Sequence, residues 1–238
     1  MEGSSPLRPT CSWCSLLLAK GFNGAGAGRD AGLTVALSLR QGTLLVSIAR
    51  QAVDSAVERS PLGPVRPAAR DENDGFLAVN RGAFVTLNKL DGSLRGCIGV
   101  PYPVKPLGEA VFEAGVGAAT RDPRFPRVEA NELDSLTVEV SALTEPQGLD
   151  GPAVELPKRV RIGIDGLIVS GMGTSGLLLP QVASDMRLTP EAFLSLTCEK
   201  AGLFPDAWLT TRVRVLRFQA EVFGEATPRG AVGELKAH

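Results

Sequence analysis

From Thr43 the apolar residues Leu45, Ile48, Ala49, Ala52, Val53 and Ala56 recur at helical spacing. They predict an amphipathic helix with Thr43 as its N-cap and Pro61 and Pro64 at its end. The polar stretch Pro67 to Asp74 reads as a loop. Alternation then takes over: Ala83 to Leu90 and Ser93 to Gly99 flank Asp91-Gly92, the pattern of a hairpin closed by a two-residue type I′ turn. That turn implies a register, with Leu90 opposite Ser93, Asn88 opposite Arg95, Thr86 opposite Cys97 and Phe84 opposite Gly99. Strand side chains alternate and cross-strand partners share a face. Val85, Leu87, Leu94 and Ile98 therefore form the core side. Thr86, Asn88, Arg95 and Cys97 form the other, where Gly96 and Gly99 leave backbone uncovered.

Pro106 to Thr120 predicts a second helix, with the stripe Leu107, Ala110, Val111, Ala114 and Ala118, and with Gly115 and Gly117 placed for close approach to another element. Asp122-Pro123 stops it. Leu136 to Thr144 alternates, with Leu136, Val138, Val140 and Ala142 inward and Thr137, Glu139 and Ser141 outward. A second hairpin is expected about Asp165-Gly166. A further helix opens with Thr189 as N-cap and Pro190 at its first position, and closes at Gly202. A last strand covers Arg212 to Phe223, and its apolar phase changes between Val215 and Leu216, the mark of a bulge or a switch of buried face. Hairpins with interspersed helices predict an α+β fold with a largely antiparallel sheet flanked by helices.

Composition narrows the function classes. The 238 residues are 44% hydrophobic and 21% charged, enough to bury a substantial core. A formal charge of -1 supplies no global field for nucleic acid or an anionic membrane, and no apolar run approaches a membrane span. No nucleic-acid or membrane partner is expected. The one histidine, His238, is the last residue, which removes Ser-His-Asp, Cys-His and histidine-based metal chemistry. No metal or cofactor is expected. Cys11, Cys14, Cys97 and Cys198 are too scattered for a disulfide framework, so a cytoplasmic setting is expected.

Residues 1–40 stand apart, rich in Ser, Pro and Gly, and read as a flexible or weakly packed leader. A signal peptide and translated upstream sequence are the alternatives. Residues 41–230 form the domain and 231–238 a C-terminal tail. Cys11-Ser12-Trp13-Cys14 has redox or half-zinc spacing that nothing completes. Gly171-Met172-Gly173-Thr174-Ser175-Gly176 matches G-x-G-x-x-G, yet Leu177-Leu178-Leu179-Pro180 is extended where a dinucleotide site needs a helix, so a glycine-rich connection between strands is expected. Cys198, near Phe193, Leu194 and Ala201, reads as an apolar filler. Cys97 shares its expected face with Arg95, whose charge would favour the thiolate; the alternative is a packed thiol beside an arginine that pairs with a structural carboxylate.

The combination Leu94-Arg95-Gly96-Cys97-Ile98-Gly99, Asp122-Pro123-Arg124-Phe125-Pro126, Glu139-Val140-Ser141, Gly176-Leu177-Leu178-Leu179-Pro180-Gln181-Val182 and Lys200-Ala201-Gly202-Leu203 resembles the AMMECR family in order and spacing, over about residues 43–230. Arg127 stands where the family commonly has a second proline. The resemblance implies an α+β fold with a larger and a smaller lobe and a cleft lined by residues 94–99. It also implies association with MEMO-like and radical SAM proteins in a multi-protein modification pathway. It names no reaction.

Two functions follow. In the first, an enzyme or enzyme component uses Cys97 as nucleophile or acid-base group, Arg95 as anion anchor and Glu139 as carboxylate partner. In the second, a non-catalytic module docks a small molecule or protein at the same place. Either way Thr86, Asn88, Gly96, Gly99, Asp122 and Arg124 line the binding surface. The loop 122–126 is expected to be held beside the Cys97 face by Phe125 as a buried anchor, with Arg124 placed to bind an anion or Asp122 to pair with Arg95; the alternative is a rigid helix stop whose charges only face solvent.

Overall fold

The structure is a computed structural model that describes residues 36–58, 72–210 and 212–235. Cys11-Ser12-Trp13-Cys14, most of the leader and Pro61 to Arg70 lie outside the described residues. Among those described, 36–145 with 220–235 form one compact unit and 146–219 a second, smaller one.

In the larger unit the first helix, α1, spans Leu39–Glu58 and begins one turn before the expected cap. Ser38 and Gln41 form a reciprocal capping box: the Gln41 N–H donates to Ser38 Oγ, and the Ser38 N–H donates to Gln41 Oε1. Thr43 lies inside the helix and returns its hydroxyl to the Leu39 carbonyl. Strands β1 (Ala83–Lys89) and β2 (Leu94–Val100), helix α2 (Leu107–Thr120) and strand β3 (Leu136–Leu143) follow. The unit is completed after the chain returns. A five-stranded sheet, antiparallel in every pairing, has the order β2, β1, β3, Ala220–Glu225, Val232–Leu235. Val232–Leu235, within the segment read as a C-terminal tail, thus form an edge strand of it.

Both helices cover one face, where Val85, Leu87, Leu107, Val111, Val138, Val140 and Phe223 form the core. Gly115 seats α2 against Ala49 and Ala52, and Gly117 seats it against Ile98. Arg50, buried within α1, pairs with Glu225 and donates to the carbonyls of Leu133 and Leu136. A buried guanidinium needs this full set of acceptors.

The smaller unit holds β4 (Gln147–Gly148), α3 (Leu156–Arg159), β5 (Gly166–Gly171), β6 (Thr174–Leu178), α4 (Pro180–Asp185), α5 (Pro190–Lys200) and β7 (Val213–Phe218). Its antiparallel sheet has the order β4, β7, β5, β6. Helix α5 begins as expected, with the Ala192 N–H on Thr189 Oγ1, and Gly202 follows it at φ +73°. Cys198 is fully buried beside Phe193, Leu194 and Ala201.

Two sequence expectations change here. Residues 161–165 form a turn rather than a strand, because the Asp165 carboxylate takes the Arg161 backbone N–H and guanidinium; no hairpin centres on Asp165-Gly166. The hairpin instead joins β5 to β6 through Met172 and Gly173, both at positive φ. The expected last strand is two strands that break at Gln219, and the second of them, β8 (Ala220–Glu225), belongs to the larger unit's sheet, ahead of β9 (Val232–Leu235). The apolar phase change marks a change of sheet, not only of face.

Candidate functional site

The β1–β2 hairpin sets the site. Its turn is not type I′. Gly92 alone takes positive φ (+80°), its N–H returns to the Lys89 carbonyl, and the Lys89 N–H donates to the Ser93 carbonyl, so the loop has one residue more than expected. Asn88 therefore pairs with Leu94. A bulge at Arg95 then restores the register, so that Leu87 meets Gly96, Thr86 meets Cys97 and Phe84 meets Gly99. The two departures cancel. Cys97 stays on the expected face with Thr86 and Asn88, away from the core. Leu94 moves to Asn88's face, and Arg95 loses its simple alternation with Cys97.

The glycines serve packing rather than an open surface. A Cβ at Gly96 would lie 2.3 Å from the Ala118 carbonyl oxygen, and one at Gly99 would lie 2.2 Å from the Phe84 ring. Only glycine lets α2 and Phe84 come so near.

Arg95 is a structural arginine. Its side chain, 7% exposed, grips Glu132 with two bonds (Nε to Oε1 2.7 Å, NH2 to Oε2 2.9 Å) and donates to the carbonyls of Pro126 and Arg127. Arg95 holds Glu132 below its ordinary carboxyl value. The expected Asp122–Arg95 pair does not form. Glu132 was not singled out from the sequence, and its only signal is the spacing of Glu129 and Glu132, which form a capping box before β3.

Asp122 instead serves β2's outer edge. It is buried and accepts the Cys97 N–H (2.8 Å) and the Arg124 backbone and guanidinium, while Arg124 NH2 reaches the Cys97 carbonyl (3.4 Å). Burial opposes its charge, but these donors outweigh burial and keep Asp122 ionised below its ordinary value. Phe125 is half-buried and lies between two guanidinium groups, 5.5 Å from Arg124 and 6.0 Å from Arg95. The buried apolar anchor of the loop is Val128, whose N–H returns to the Ala119 carbonyl.

Across the three strands Cys97, Thr86 and Glu139 form one row, since Thr86 pairs with both of the others. Asn88 follows Thr86 on that face. The Thr86 hydroxyl donates to Cys97 Sγ (3.4 Å). Burial pushes the Cys97 thiol up to about 12, against the weaker opposing effects of Thr86 and Arg124. At neutral pH it is a thiol, which favours the packed-thiol alternative over the thiolate. Burial also pushes Glu139 up to about 7. Among the described residues, the Glu139 carboxyl has no hydrogen-bond or ion-pair partner, and no cluster of three His, Cys, Asp or Glu side chains forms a metal site. No helix among them is long and apolar enough to cross a membrane.

Fold and site define an α+β protein with two antiparallel sheets, whose 94–99 hairpin strand carries a polar row on the face away from its helices. The chain belongs to the AMMECR1 family, whose match spans residues 46–223. It is 46% identical over 195 residues to a protein of Thermococcus gammatolerans, covering 80% of this chain and 93% of that one. A protein of Methanothermobacter thermautotrophicus is 48% identical over 191 residues, with 79% and 96% covered. The crystal structure of the uncharacterised protein PH0010 from Pyrococcus horikoshii superposes with a TM-score of 0.74 at 42% identity, covering 82% of this chain and 96% of that one.

Proposed function

We propose that this chain is an enzyme or enzyme component that works on the Cys97–Thr86–Glu139 row, with Glu139 as the proton-transfer group. The supporting observation is Glu139 itself, a half-buried carboxyl without a partner among the described residues and with a proton affinity near neutral. Such a carboxyl costs stability, and a group poised near the working pH is what general acid-base catalysis requires. In this reading Cys97 supplies a neutral thiol donor beside the reacting group. Arg95 and Asp122 shape the strand and touch no substrate. MEMO-like or radical SAM partners would supply chemistry beyond proton transfer.

The test is a thermal-shift screen of the full chain against a metabolite library, with Glu139→Gln and Cys97→Ser alongside. Hits that stabilise the parent and lose their effect in both variants support the reading; hits that act equally on all three proteins place binding elsewhere. A second reading, a docking module without turnover, is favoured by the internal use of the motif's charges, Arg95 by Glu132 and Asp122 by Arg124. It predicts that a partner co-purified from the native host binds Glu139→Gln as well as the parent.

A further inference from the structure

On the face of the larger sheet away from α1 and α2, Glu139 stands on the middle strand among uncharged neighbours. Thr86 lies opposite it on β1 and Gly224 opposite it on β8, with Thr137 and Ser141 two positions away on β3 itself. Asn88, paired with Thr137, is its diagonal neighbour. Glu139, Thr137 and Asn88 are each half-buried and so still meet solvent. Side chains directly opposite stand about 4.5–5.5 Å apart and diagonal ones about 7–8 Å, so one small ligand group can touch all three.

This corner of the sheet offers lone pairs and no cation. The Thr86 hydroxyl directs its proton to Cys97 Sγ (3.4 Å) and the Thr137 hydroxyl to the Asn88 carbonyl (3.5 Å), which leaves each oxygen only as an acceptor. The Asn88 side-chain amide makes no hydrogen bond among the described residues, and its carbonyl oxygen is a further acceptor. The charged groups nearest along this face, Asp122 and Arg124, are paired with one another at the outer edge of β2, beyond Cys97. Burial alone acts on Glu139, and no neighbouring charge offsets it. A carboxylate held in this way draws a cation that is itself rich in N–H donors. On the other flank, the missing side chain of Gly224 makes room for Leu235: a Cβ there would lie 2.7 Å from Leu235 Cδ1 and 3.6 Å from the Glu139 Cβ. Leu235 is exposed and gives Glu139 an apolar neighbour.

We propose that Glu139, Thr137 and Asn88 bind the primary ammonium group of a small-molecule substrate whose carbon chain lies along Leu235. The proposal rests on the reading of this row as the working surface and names the class of substrate it takes. An ammonium turns three N–H donors towards three acceptors drawn from two strands, whereas a planar guanidinium suits a single carboxylate met edge-on. The proton that Glu139 moves is then defined. Its carboxylate takes one proton from the bound ammonium, which leaves a neutral amine with a free lone pair and a protonated carboxyl.

Calorimetric titration of the full chain compares butylamine with butanol, butyrate and butyltrimethylammonium, which share its carbon chain and differ in the head group. The parent is expected to bind butylamine saturably and the other three at least several-fold more weakly, because they lack the charge, reverse it or lack the N–H donors. Glu139→Gln is expected to weaken butylamine at least tenfold, equivalent to about 1.4 kcal/mol, and Thr137→Val several-fold. Since Glu139 must release its own proton to hold a cation, butylamine affinity should rise about tenfold per pH unit below about 7 and level off above it. No saturable butylamine binding up to about 50 mM, well beyond a millimolar constant, would overturn the assignment. So would equal affinity in the parent and Glu139→Gln, a flat profile between about pH 5 and pH 8, or preference for butyrate or butyltrimethylammonium. Metabolite hits that depend on Glu139 but are neutral or anionic, without butylamine binding, overturn the ammonium site and leave proton transfer by Glu139 standing. Butylamine binding that Glu139 governs, beside metabolite hits indifferent to Glu139→Gln, keeps the ammonium site and removes the wider reading.

Discussion

The carboxylate of Asp122 accepts the backbone N–H of Cys97 at 2.8 Å, while Arg124, paired to the same carboxylate, reaches the Cys97 carbonyl. A two-residue clamp thus takes both outward backbone groups of the edge strand, as a neighbouring strand would. It blocks strand addition at that point and fixes the height of Cys97 relative to Thr86 and Glu139.

Cys97 should alkylate slowly near pH 7.5, because burial holds its thiol at about 12. In a Cys11→Ser, Cys14→Ser background, the rate of iodoacetamide labelling at Cys97 is expected to rise about tenfold per pH unit up to pH 9 or beyond, as for any thiol far below its pKa. A plateau near neutral pH, read by peptide mass spectrometry, would falsify the neutral-thiol assignment. Cys198, fully buried, should label only on unfolding.

Glu139 makes stability depend on pH in a defined direction. Native Glu139 holds its proton up to about 7, whereas an unfolded glutamate releases it near its ordinary 4.5. Between these values the native state binds more protons, so its stabilising effect is complete below 4.5 and is lost as pH rises through 7. Glu139→Gln should unfold in urea like the parent near pH 4.5 and be more stable above pH 7, by up to about 3 kcal/mol. A constant difference across that range would show that Glu139 ionises normally.

Removing Glu132 leaves Arg95 buried beside two carbonyls and no counter-charge. Glu132→Ala is expected to cost about 3 kcal/mol, the usual range for orphaning a buried ion-pair partner. The double variant Glu132→Ala, Arg95→Leu should recover part of that loss. If the single variant melts with the parent, Arg95 is available to a ligand and its structural assignment fails.

Two substitutions separate packing from surface in the motif. Gly96→Ala drives a Cβ into the backbone carbonyl of Ala118, which cannot rotate away, and is expected to cost at least about 2–3 kcal/mol, as overpacking does. Phe125→Ala removes a half-buried ring and two cation–ring contacts and should cost about 1–2 kcal/mol, less than the 3–5 kcal/mol of a core phenylalanine. The reverse order of urea midpoints would contradict this account of the hairpin and its loop.

The sequence by itself determined what local periodicity and cap chemistry control: the stripe of α1, the extent of α2, the alternation of β3, the caps of α5 and the pairing of Thr86 with Cys97. All but the last depend on residues within a few positions of one another, and the last on a single short turn. The last was reached through two compensating features, since neither the extra residue of the Gly92 turn nor the bulge at Arg95 has its own signature in the residue pattern. The tertiary structure alone decided which carboxylate each arginine meets. Arg95 joins Glu132 across 37 positions and Arg50 joins Glu225 across 175, and buried ion-pair geometry follows chain packing that no local pattern encodes. It also decided the ionisation of the site. Arg95 near Cys97 in the sequence suggested a thiolate, but burial raises both Cys97 and Glu139, and burial is a property of the folded chain.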